Sequence, residues 1–74
     1  MRLPFRVTEE MYGRKKRVIK RFRTGRDATL WIFDHVGSEA WDDYHVEQLV
    51  KGRWVRAETK NYLTRKDEER VGIP

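Results

Sequence analysis

The sequence predicts an α+β domain: a small antiparallel sheet of three or four strands packed on one helix, in the order strand-strand-helix-strand-strand. Three observations predict it. Residues 26–36 repeat apolar side chains at helical spacing. Residues 44–59 alternate in character on either side of Lys51-Gly52. The stretch before the helix carries β-branched and aromatic residues in short runs.

The first strand is expected over Leu3–Glu9, where Phe5-Arg6-Val7-Thr8 has strand character. The second is expected over Lys16–Thr24, with Val18 and Ile19 in it and Tyr12-Gly13-Arg14 in the turn before it. A rival reading makes residues 8–24 one helix, with Thr8 as cap, Glu9 and Glu10 in the first turn and Gly25 as stop. Strands are favoured, because the helix would hold Gly13 in its interior and turn Arg14 or Lys15 into the core.

The helix itself is expected over Arg26–Val36. Thr24 followed by Asp27 resembles a capping box. Ala28, Trp31, Ile32, His35 and Val36 fall on one face, while Leu30 and Phe33 lie off it and widen the apolar arc. Gly37 is expected to end the helix in a left-handed cap. Strands over Tyr44–Val50 and Arg53–Thr59 then form a hairpin. Thr64 with Asp67 begins either a short C-terminal helix or a frayed tail, so the ordered core is set at about residues 3–60 of a single domain spanning 1–74.

Composition limits the function. The 38% apolar fraction is low and the 39% charged fraction is high, but three Trp, three Tyr and three Phe argue for a folded chain. With no Cys, disulfides and thiolate-ligated metal are excluded, which leaves packing and self-association in a homodimer as sources of stability. The longest apolar run, Leu30–Phe33, is far too short to span a membrane, and Met1-Arg2-Leu3-Pro4 is not an apolar leader. A cytoplasmic location without membrane contact is expected.

Charge is sorted along the chain. Residues 1–26 hold ten Lys or Arg against Glu9 and Glu10. Residues 27–50 hold six acids and no Lys or Arg, and the whole chain carries +5. Segregation of this kind points to a charged partner. Strict alternation would put Phe5, Val7, Val18, Phe22, Tyr44, Val46, Val50 and Val55 against the helix. The opposite face would then hold Arg6, Arg17, Ile19, Arg21, Arg23, His45, Glu47, Leu49, Trp54 and Arg56. Guanidinium groups match phosphate and an indole can stack on a base. Arg6, Arg17, Arg21, Arg23, Trp54 and Arg56 are therefore the expected contacts to nucleic acid or another polyanion.

An alternative is a protein-interaction module, an inhibitor or adaptor of a host protein, in which Trp41, Asp42 and Asp43 meet the partner. Short, cysteine-free, charge-dense chains of this type occur among accessory proteins of phages and other mobile elements, an analogy that no motif carries. Glu39, Asp42, Asp43 and Glu47 with His35 and His45 match no metal-ligand spacing, so neither a metal nor another cofactor is expected. Ser38 is the only Ser and has no His base beside it in sequence, and there is no phosphate-cradling Gly loop. No catalytic residue is expected.

Overall fold

Alternation in the backbone organises the molecule into two layers, a sheet with helices on one side. The computed structural model describes residues 3–58 and 62–72. Among these, strands β1 (Phe5–Glu9), β2 (Arg17–Phe22), β3 (Tyr44–Val50) and β4 (Arg53–Ala57) pair antiparallel in the order β2-β1-β3-β4. Helix α1 (Gly25–His35) follows β2, a 3-10 turn (Ser38–Asp43) leads into β3, and helix α2 (Arg65–Val71) follows β4. The single-helix reading of residues 8–24 is thereby excluded. Thr59, the expected end of the fourth strand, and Lys60, the expected limit of the ordered core, lie outside the described residues.

The expected signals set most of these boundaries. Lys51 and Gly52 both take positive φ, 51° and 79°, the type I′ pattern whose twist suits a two-residue hairpin. Thr24 caps α1 by accepting from the Asp27 backbone N–H, and Thr64 with Asp67 closes a complete capping box on α2. Gly37 departs from expectation. Val36 ends α1 in an extended conformation and Gly37 is extended too (φ −62°), leading directly into the 3-10 turn.

The core is small. Val7, Ala28, Ile32 and Val46 are its buried apolar residues, with Phe5, Ile19, Phe22, Trp31, Val36, Trp41, Tyr44 and Ala57 packed around them. The buried stripe of α1 is Gly25, Ala28, Thr29 and Ile32, rotated from the expected one; His35 is exposed. Thr29 can join the stripe because its hydroxyl donates back to the Gly25 carbonyl (2.8 Å), which satisfies the polar atom without a partner outside the helix. Gly25 itself is required by packing, since a Cβ there would lie 2.5 Å from the Tyr62 ring.

A β-bulge changes the face assignment of β2. Phe5 pairs with Phe22, Arg6 with Arg21 and Val7 with Lys20, but Thr8 pairs with Val18, so Ile19 is extra. Beyond the bulge the alternation changes phase. Ile19 packs on the core, whereas Val18 joins Thr8 on the open face and is 48% exposed. Arg17 moves to the helix side, where it pairs with Glu9 at 3.0 Å. Strict alternation placed all three the other way. Val50 and Val55 also leave the expected core and are exposed at the β4 end of the sheet.

Candidate nucleic-acid interface on the open sheet face

The register builds this face one row at a time. Arg21, Arg6, Glu47 and Arg56 are directly opposed across β2, β1, β3 and β4 and form one row. Val18, Thr8 and His45 form the next, and Leu49 with Trp54 lies on the other side. Strand spacing of ~4.8 Å makes the charged row roughly 14 Å wide.

Glu47 is the centre of that row. Its side chain is only 8% exposed, and it accepts from Arg6 Nε at 2.7 Å and Lys16 Nζ at 2.8 Å. Burial pulls its carboxyl upward, but the hydrogen bonds and charges of Lys16 and Arg6 outweigh that and hold it below the usual carboxylate range. One negative charge thus fixes two positive side chains flat on the sheet. Thr8, in the next row, is 1% exposed and its Oγ1 has no hydrogen-bond partner among the described residues.

Trp54 is not the bare stacking platform that alternation implied. The Arg6 guanidinium carbon lies 4.3 Å from its ring centroid and that of Arg21 lies 4.9 Å away, both at cation–π distance. The indole and the two guanidinium groups form one layered cluster. Arg21 makes no ion pair among the described residues, and Arg56 keeps 62% of its side-chain exposure, with Glu10 Oε2 at 3.5 Å. His45 lies in the next row, on the side of Arg56 away from Trp54. Burial pushes its imidazole below the ordinary range and the Arg56 charge adds to the effect.

Of the six residues expected at a polyanion site, the register brings Arg6, Arg21, Trp54 and Arg56 together. Arg23 is exposed just past the end of β2, and Arg17 is on the other side of the sheet. Lys16 was not among the six. Lys16 becomes visible only through its bond to Glu47. Tyr12 lies in the turn as expected and is fully exposed at 105% of its reference area.

The alternative interaction residues have structural work of their own. Trp41 Nε1 donates to the Val36 carbonyl (2.9 Å) and its ring meets Phe33 edge-on at 4.6 Å. The Asp43 carbonyl accepts from the Glu10 N–H at 2.7 Å, while Asp42 is exposed. Trp41 and Asp42 also line a groove of about 780 Å³ together with Ile32, Phe33 and Leu63. Among the described residues no cluster of three His, Asp or Glu could hold a metal ion, and no helix is long and apolar enough to cross a membrane. Compared with family models, with curated proteins and with solved structures, the chain matches none.

Proposed function

We propose that the protein is a non-catalytic nucleic-acid-binding module whose open sheet face takes the ligand. The observation that carries this reading is the cluster of Trp54 with Arg6 and Arg21, set in a row that ends on the exposed Arg56. Guanidinium groups held in place lose less freedom on meeting a phosphate than free ones, and both an indole and a guanidinium plane accept a stacked base. Arg21 and Arg56 are the phosphate contacts, Arg23 extends them past the strand end, and Trp54 with its Arg neighbours is the stacking surface.

Fluorescence anisotropy with labelled oligonucleotides at several salt concentrations tests it. Each single-strand phosphate neutralised contributes about −0.7 to the log–log salt slope, so three to four contacts give roughly −2 to −3. Arg21→Gln should weaken binding and make the slope shallower by about 0.7. Absence of binding to DNA and RNA at low salt would remove the proposal.

A second reading, a protein-interaction module, keeps one observation in its favour: the apolar groove beside the exposed Asp42. Asp42→Lys is its clean probe, because Trp41 is packed and its removal would disturb the fold. If a purified candidate partner binds the parent chain and the Asp42→Lys variant equally, that reading loses its charged contact.

A further inference from the structure

The loop between β1 and β2 presents an aromatic ring that the fold does not use. Arg14 N–H donates to the Met11 carbonyl at 3.0 Å, and Gly13 has φ +77°. A negative φ at the second turn position and a positive one at the third define a type II turn, which needs Gly at the latter. Tyr12 occupies the corner. Its ring is wholly in water, although burying a side chain of that size ordinarily contributes about 1.5–3 kcal/mol. The turn holds this unused ring away from the body of the protein.

Arg14 and Lys15, which follow it, are exposed and make no ion pair among the described residues. The loop is joined to the open face. Tyr12, Gly13 and Arg14, with Glu10 and Met11 beside them, line one side of a notch of about 530 Å³ whose other side is Asp43, His45 and Arg56. The Leu49 N–H to Pro4 carbonyl bond sets the Trp54 row level with Pro4, so the five residues of β1, about 17 Å at ~3.3 Å per residue, and then Glu10 and Met11 separate that row from Tyr12.

We infer that the β1–β2 loop is a second contact for a single-stranded nucleic acid that crosses the open face, with Tyr12 stacking on an unpaired base and Arg14 and Lys15 on the flanking phosphates. The inference rests on the proposed function above and adds to it the strand state of the ligand. A four-stranded sheet is too wide to enter a duplex groove, whereas unstacked bases lie flat on aromatic rings and guanidinium planes.

The test compares dT3, dT12, rU12 and a 12-base-pair duplex on the parent chain, Tyr12→Ala, Tyr12→Phe, the Arg14→Gln/Lys15→Gln pair and Arg21→Gln. Tyr12→Ala should weaken dT12 or rU12 about thirtyfold, the middle of the range for one lost base stack, and leave dT3 unchanged. Tyr12→Phe should stay within twofold of the parent. The Arg14/Lys15 pair should make the salt slope shallower by roughly 1.4. Comparing dT12 with rU12 separates DNA from RNA.

If Tyr12→Ala binds dT12 and rU12 like the parent while Arg21→Gln weakens them, the loop contact is wrong and the face stands. A duplex bound as tightly as the single strands overturns the strand assignment. If the parent binds none of the four, the face and the loop fall together. Melting midpoints should be equal for the parent and both Tyr12 variants, because the ring touches nothing in the fold.

Discussion

The two faces of this sheet are made from the same strands and are held in different ways. On the helix side, Val7 and Val46 meet Ala28 and Ile32 and are sealed from water. On the open side, Arg6, Lys16 and Trp54 are fixed by one carboxylate and by cation–π contacts. The first is non-directional burial, in which volume matters most. The second is directional and charged, and its geometry survives only while each partner keeps its charge. Stability and recognition can therefore be separated on opposite sides of one strand, because β alternation sends neighbouring residues to different solvents.

The largest effect that would test this contrast is on the covered side. Ile32→Ala should destabilise the domain by about 2–4 kcal/mol, measured by urea unfolding. A domain of this size has only about 5 kcal/mol or a little more in total, so the variant would be partly unfolded at room temperature. Arg21→Gln, exposed on the other side, should change stability by less than about 0.5 kcal/mol. Comparable losses from both would erase the distinction.

Glu47→Gln acts on both properties with opposite signs. It leaves Arg6 and Lys16 without their counter-charge, but both retain solvent contact, so the loss of stability should be about 2 kcal/mol, below the range for a fully buried pair. At the same time it releases two cations, and oligonucleotide binding should tighten. Acid titration supplies a control. Glu47 titrates below its ordinary 4.5 in the folded chain, so its stabilisation is fully present above that value and is lost as pH falls. The Gln variant should lack this loss. The Asp67 carboxyl is held at about 2, first by the Arg26 hydrogen bond and then by the Thr64 N–H, so its hold on α2 should weaken as pH falls below the ordinary 3.8 and be gone by about 2.

One change should run the other way. Thr8→Val keeps the shape of a buried side chain and removes a hydroxyl without a partner, so it should stabilise by about 1 kcal/mol in the same unfolding assay. A loss would mean that the hydroxyl is satisfied in solution.

Local signals made the architecture legible. Tyr44–Val50 alternates cleanly around a turn that Gly52 permits, Thr24 and Thr64 announce both helices, and Phe5 and Val7 mark β1. The stripe of α1 was misread because Thr29 is polar by composition, yet it satisfies its own hydroxyl within the helix. The open face was legible at Arg6, Arg21, Trp54 and Arg56, which alternate in register with the core positions. Arg17, Val18 and Ile19 were not, because a bulge leaves no mark in hydrophobic periodicity. Tyr12 was not legible either, since exposure is a property of the turn and not of the residue. The basic residues of β2 have a second physical reason to be there. It is an edge strand, and Lys, Arg and a bulge all discourage such an edge from pairing with another chain.

That bulge also bears on how the chain can change by insertion and deletion. Residues on either side of it follow two different phases of the pleat, joined between Lys20 and Val18. Loss of one codon at Ile19 or Lys20 would merge the phases while leaving Arg17 and Val18 on their present sides. A one-codon loss at Val18 would instead bring Ile19 opposite Thr8 and turn an apolar core residue to the open face. Divergent copies of this gene should therefore differ in length at Ile19 and Lys20 more readily than at Val18.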